Sequence, residues 1–379
     1  MSCRTPDCPM FRVSISLLSL ALAALFAGEA SASDARRFIA GADISALATL
    51  EARGAHYRGA KGRADALSVL RDAGLNCFRL RLFVAPNGEG IVTNDLDYTL
   101  ALARRVRKTG AAFMLDLHYS DTWADPAKQF KPAAWAGLPF EKLEAAVREY
   151  TRRTLERFIA EGLAPEFVQI GNEITNGLLW PEGRVEFADA GNAAAWSRLA
   201  RLLRAGIEGL DAAVTNTGAQ RPQVIFHIES TGDPARTRWW LREAQRASLA
   251  YDIVGFSFYP EWHGGLAGLR ETLEMAATEF KKPVMVVETA YPWKNDEHWS
   301  GKKNLDWPLT PEGQRQFISD VVETVRALPD GRGAGVFWWH PESIQIEGAH
   351  AWNGGSCALF DDHGAVLPAA AALGQSARP

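Results

Sequence analysis

From residue 37 onward the chain alternates two hydrophobic patterns. Short runs dense in Val, Ile, Phe and Leu cover Phe38–Ile44, Cys77–Val84, Phe113–Tyr119, Phe167–Glu173, Val224–Glu229, Ile253–Tyr259, Val284–Glu288 and Val336–Trp339. Each is bounded by turn residues and is apolar almost throughout, as in a parallel strand covered on both faces. Between them, segments such as Phe140–Ala160, Ala193–Leu210 and Pro311–Leu328 repeat apolar residues at three- and four-residue steps. That spacing predicts helices with one buried stripe. Eight strands alternating with helices over about 330 residues predict an α/β fold, a single (β/α)8 TIM barrel covering residues 33–379. Gly41-Ala42-Asp43-Ile44-Ser45 gives no dinucleotide fingerprint after the first strand, which argues against a doubly wound sheet.

The first 32 residues break this pattern. Arg12 precedes the apolar run 13–27, and Ala30-Ser31-Ala32 offers small residues for cleavage. This reads as a signal peptide, too short for a membrane span, and predicts an exported protein, periplasmic or secreted. Of four cysteines, Cys3 and Cys8 would leave with it. Cys77 and Cys357, 280 residues apart, are expected to be buried thiols rather than a disulfide scaffold. Lys and Arg total 41 against 45 Asp and Glu, a net charge of −4. With no basic block, neither nucleic acid nor a membrane surface is an expected partner.

Chemistry enters where strands end, because barrel sites form at the C-terminal strand ends. Those ends carry Arg79, Asp116-Leu117-His118, Asn172-Glu173, His227-Ile228-Glu229, Ser257-Phe258-Tyr259, Glu288 and Trp338-Trp339-His340. Glu173 and Glu288 close the fourth and seventh strands, across the mouth from one another. A strand-end Glu alone is more often a member of a structural ion pair. Two opposed across a substrate are what glycoside hydrolysis requires, with carboxyl groups ~5–5.5 Å apart for retention. Of thirteen tryptophans, ten fall on the last strand or in loops after strands: Trp123, Trp135, Trp180, Trp262, Trp293, Trp299, Trp307, Trp338, Trp339 and Trp352. Indole faces suit the C–H faces of sugars, although about half of these are expected only to pack loops onto the barrel. Trp196, Trp239 and Trp240 fall in helices and are expected in the core.

Several stretches carry a resemblance, among them Gly41-Ala42-Asp43-Ile44-Ser45 and Phe78-Arg79-Leu80-Arg81 on the first two strands. Asp116-Leu117-His118-Tyr119-Ser120-Asp121-Thr122-Trp123-Ala124-Asp125-Pro126 resembles the signature of glycoside hydrolase family 53, the arabinogalactan endo-β-1,4-galactanases. So do Gln169-Ile170-Gly171-Asn172-Glu173-Ile174 with Leu179-Trp180-Pro181, and Val286-Val287-Glu288-Thr289-Ala290-Tyr291-Pro292. The likeness spans roughly residues 37 to 370. It implies Glu173 as acid/base and Glu288 as nucleophile, with Asn172 on the sugar 2-hydroxyl. It further implies Arg79 and Tyr259 beside Glu288, His118 near the −1 sugar and Trp339 as its floor. Asp125, Lys128 and Trp352 complete the implied substrate contacts, while Asp43 and Asp116 fit a role bracing the barrel interior.

The activity so implied is retaining endo-hydrolysis of β-1,4-galactan by a monomer that requires no cofactor. Two departures stand out. His340 follows the last-strand tryptophan where relatives tend to have Glu. Bacterial relatives bind calcium through an acidic loop after the nucleophile, but here Lys294-Asn295-Asp296-Glu297-His298 offers few oxygen ligands, so no metal is expected. Alternatives are a mannan- or xylan-cleaving barrel, a non-catalytic sugar-binding barrel, and a metal-dependent hydrolase using Asp116, His118 and His227. The last lacks a His-x-His pair.

Overall fold

The strands of the computed structural model, which describes residues 37–187, 192–346 and 351–377, close into a parallel barrel. They are β1 (Ile39–Asp43), β2 (Cys77–Leu82), β3 (Ala112–Leu117), β4 (Phe167–Ile170), β5 (Gln223–Ile228), β6 (Ile253–Phe258), β7 (Val284–Thr289) and β8 (Gly333–Trp339). Each pairs with its sequence neighbours, and β8 closes on β1. The strands are buried on both faces, β2 and β6 over their whole lengths. Around them lie α1 (Ala66–Asp72), α2 (Leu96–Lys108), α3 (Phe140–Ala160), α4 (Ala193–Thr217), α5 (Pro234–Arg246), α6 (Leu266–Glu279), α7 (Pro311–Arg326) and α8 (Pro368–Gln375). Among the described residues no helix is long and apolar enough to cross a membrane. The expected signal segment lies outside the described residues.

Among the boundaries that differ from the sequence expectation, two have clear physical reasons. The helix predicted to end at Leu210 runs on to Thr217. Ala213 is buried there, and Gly218, with φ 68°, accepts the left-handed stop while its N–H bonds Val214 O, as helix ends commonly require. The fourth strand stops at Ile170 instead of Glu173. Gly171 has φ 80° and Glu173 φ 46°, so the chain turns over the barrel mouth. A left-handed glutamate is costly, and such strain clusters at functional sites.

Along the barrel axis the interior changes character. Its lower layer is Cys77, Met114, Phe167, Ile225, Ile253, Met285, Val287 and Phe337. Gly41 makes room for Phe337, since a Cβ there would lie 2.3 Å from the ring. Alternation along a strand then brings the next inward residues to the mouth: Arg79, Asp116, Gln169, His227 and Trp339. β7 breaks this alternation. Val286 pairs with Phe256 but Glu288 pairs with Ser257, and the register against β8 also shifts between Val286 and Thr289. One extra residue turns Glu288 inward directly after Val287, as a β-bulge does. Without it, Glu288 would face the helices.

Candidate active site

At the centre of the mouth stands Arg79, fully buried. Its Nη1 lies 3.0 Å from Asp43 Oδ2 and 2.8 Å from Glu288 Oε1, and its Nη2 lies 2.9 Å from Asp116 Oδ2. Nη2 also donates to Asn172 Oδ1 at 2.7 Å, and Nε to Gln169 Oε1 at 3.3 Å. A buried guanidinium is tolerable only when so surrounded. Burial alone would raise the pKa of Asp43, but Arg79, Arg81 and His340 outweigh it and hold this carboxyl below its usual value.

Glu288 is buried, with Arg79 on Oε1 and the Tyr259 hydroxyl donating to Oε2 at 3.1 Å. Burial pushes its pKa up to about 7, with Arg79 and Tyr259 opposing and Asp116 and Asp43 reinforcing. Burial, then the Glu288 charge, keep Tyr259 protonated well past the ordinary phenol range. Glu173 has no cation in the same position. Ser257 Oγ donates to its Oε1 at 2.6 Å, and His227 Nε2 lies 2.8 Å behind Ser257 Oγ. Burial, then the negative charges of Glu288 and Glu229, raise Glu173 well above its usual pKa. Burial likewise keeps His227 neutral, its pKa well below the ordinary value. A neutral His227 that donates through Nε2 orients Ser257 toward the carboxyl.

Glu173 and Glu288 line one cleft of about 770 Å³, together with Asn172, Asp125, Lys128, Tyr259, Trp339 and Trp352. Asp125 and Lys128 form an ion pair at 3.2 Å on its edge. Arg79 and His118 stand behind this wall. His118 is 1% exposed; its Nε2 lies 2.9 Å from Asp116 Oδ2 and its Nδ1 accepts from Ala124 N at 3.3 Å. In this geometry His118 holds the loop that carries Asp125 rather than facing the cleft. Asp43 and Asp116 are fully buried against Arg79. Of the ten tryptophans singled out by position, Trp123, Trp262, Trp339 and Trp352 line the cleft, whereas Trp135, Trp299, Trp307 and Trp338 are core.

Sequence reading missed Ser257 and His227 as supports of Glu173, and Glu229, Asp233, Arg236 and His263 as cleft lining. Strand-end position had marked Ser257, His227 and Glu229; nothing marked the loop residues. The 294–298 stretch does not fit a hard cation. Lys294 Nζ lies 2.6 Å from each oxygen of Asp362, and Asp296 accepts the His298 N–H. Among the described residues no three potential metal ligands gather. Cys77 and Cys357 are free and buried.

Comparison with known proteins gives this geometry a context. An arabinogalactan endo-β-1,4-galactanase of Thermothelomyces thermophilus is 34% identical over 341 residues, 86% of this chain and 96% of that protein. An uncharacterized protein of Niallia circulans is 38% identical over 349 residues, 89% of this chain and 93% of its own. The solved GH53 catalytic domain of Ignisphaera aggregans superposes with a TM-score of 0.80 at 30% identity, covering 89% of this chain and 95% of that domain. The profile of glycosyl hydrolase family 53 matches residues 39–373. With nearly the whole barrel matched, the chain belongs to glycosyl hydrolase family 53.

Proposed function

We propose that the protein cleaves internal β-1,4-galactosidic linkages of galactan and arabinogalactan with retention of configuration, Glu288 serving as nucleophile and Glu173 as acid/base. The observation that carries this reading is the unequal setting of two carboxyls on one cleft. Glu288 has a cation and a phenol hydroxyl to support its charge. Glu173 has a neutral serine and negative neighbours, which favour its protonated form, the arrangement that separates acid from nucleophile. The Thermothelomyces relative bears the name of this activity.

In the first step a Glu288 oxygen attacks the anomeric carbon while the Glu173 proton passes to the departing glycosidic oxygen. Ser257 occupies Oε1 of Glu173, leaving Oε2 to carry that proton. Once the glycosyl ester forms, the Glu288 charge is gone and the pKa of Glu173 falls. It can then take a proton from water, which displaces the ester. Asn172 holds the 2-hydroxyl, Trp339 supplies an apolar floor, and Asp125, Lys128 and Trp352 add contacts along the chain of sugars. Arg79 and His118 act from behind, on Glu288 and on the Asp125 loop. No metal or cofactor takes part, and the enzyme works as a monomer after export and removal of residues 1–32.

Product analysis tests this reading. Linear β-1,4-galactan should give short oligosaccharides that appear first as the β-anomer by NMR, with activity insensitive to EDTA. Preference for β-mannan or xylan, or first appearance of the α-anomer, would overturn it. N-terminal sequencing of exported protein should begin near Ser33.

A further inference from the structure

The functional reading above places the departing sugar on the Glu173 side of the cleft, because the proton must reach the oxygen that leaves with it. That wall is built by the strand beside β4. Glu229 directly follows β5, and the first turn of α5 brings Arg236 to the same cleft. Both are held firmly. Thr175, two residues after Glu173, donates its hydroxyl to Glu229 Oε2. Asp233 accepts the Arg236 N–H at 3.0 Å and so fixes the start of α5. Arg236 Nη2 donates to Asn176 Oδ1 at 2.6 Å, and Asn176 Nδ2 donates to Pro126 O at 2.9 Å.

What this bracing leaves is an unclosed pair. Arg236 Nη1 stands 3.6 Å from Glu229 Oε1, with side-chain exposures of 26% and 12%. That separation is beyond hydrogen-bond range. A guanidinium of five N–H donors lies beside an acceptor-only carboxylate, the two attracting but not bonded. Neighbouring hydroxyls of a pyranose match such a pair, one donating to the carboxylate and the next accepting from the guanidinium. We infer that Glu229 and Arg236 form the binding site for the leaving-group sugar, gripping a vicinal hydroxyl pair of the residue released first. The site selects leaving groups that are sugars over those that are not.

The test compares two substrates with one glycosyl part. β-1,4-Galactotetraose presents a sugar to the site; 4-nitrophenyl β-galactobioside presents a phenol with no hydroxyl pair. Arg236→Met should lower kcat/KM on the tetraose about 10- to 100-fold, the size of a lost charged hydrogen bond. On the aryl substrate the change should stay within about 2-fold. Transfer from the glycosyl-enzyme to added galactobiose should fall in parallel with the tetraose rate. Glu229→Gln keeps the shape but removes a charge that raises Glu173. It should show the same split when each protein is compared at its own pH optimum, and Arg236→Lys should recover part of the loss in Arg236→Met. Equal losses on both substrates, or a shifted pH profile without the split, would mean that the pair acts on Glu173 or on the fold and would overturn the inference. So would unchanged rates on both. A wild-type protein inactive on linear galactan would overturn the functional reading itself, whereas an active one lacking the split overturns only this site.

Discussion

Two layers of one barrel interior, a residue or two apart along the same strands, are built on opposite rules. In the lower layer Phe337 fills the space left by Gly41, and Ile225 with Val287 the space left by Gly255, beside Met114 and Phe167 in the same cluster. Each buried side chain of this kind stabilises the fold by about 1.5–3 kcal/mol. In the upper layer Arg79, Asp43, Asp116, Glu288, Gln169 and His227 occupy the same strands. Here three carboxylates share one guanidinium, and the attraction offsets desolvation rather than adding to it. The lower layer makes the barrel rigid; the upper layer uses that rigidity to hold charges where water would otherwise relax them. Substitutions should therefore separate stability from activity according to layer.

The largest effect belongs to Glu288→Gln. Loss of the nucleophile should reduce kcat/KM about 10⁴-fold or more on every substrate, polymer and aryl glycoside alike. At pH 4, where Glu288 is itself protonated, the denaturation midpoint should hardly move, because Arg79 keeps Asp43 and Asp116. Glu173→Gln should cost about 10²- to 10⁴-fold on polymer while sparing the glycosylation step of an aryl galactoside with an acidic phenol. Azide, which needs no general base, should then restore turnover as a β-glycosyl azide. Rescue of Glu288→Gln as an α-azide, with none for Glu173→Gln, would exchange the two roles.

Phe337→Ala addresses the other layer. A cavity there should cost about 3–5 kcal/mol of unfolding free energy, read by urea denaturation. The remaining folded enzyme should keep its kcat/KM within about 2-fold, since the cavity changes no charge at the mouth. A catalytic loss larger than the stability loss would show that the layers are not separable.

The same division decides what was legible in the amino-acid sequence. Strands buried on both faces announce themselves as apolar runs, and all eight stand where those runs are. Polar residues ending such runs, above all Asn172-Glu173 and Glu288, are visible because burial there needs a reason. Two things were not visible. The bulge at Val287 has no sequence signature, and strict alternation from Met285 would send Glu288 outward. Arg236 and Asp233 belong to a helix start that looks like any capped, solvated turn; only the position of α5 after β5, at the barrel mouth, brings them to the cleft. His118 shows the converse limit. Its motif was recognisable, but whether the ring faces sugar or props a loop depends on the Asp116 and Ala124 contacts.

The smallest expected effect tests the cost of the upper layer directly. Glu173 and Glu288 both have native pKa values raised above the ordinary carboxyl range, Glu288 to about 7. In the unfolded chain each titrates near ~4.3. Between these limits the native state holds protons that the unfolded chain has released, so stability falls as pH rises through that window. Asp43, whose value is lowered, acts with the opposite sign and below the window. Glu173→Gln removes one titration and the repulsion on Glu288, and leaves the remaining charges common to both proteins. At pH 4 the two should unfold with nearly equal free energies. By pH 7.5 the variant should be the more stable by about 1–3 kcal/mol, read from urea midpoints across the range. A difference that stays constant with pH would mean that Glu173 is not held protonated by its surroundings, and the electrostatic basis for its role as acid would fall with it.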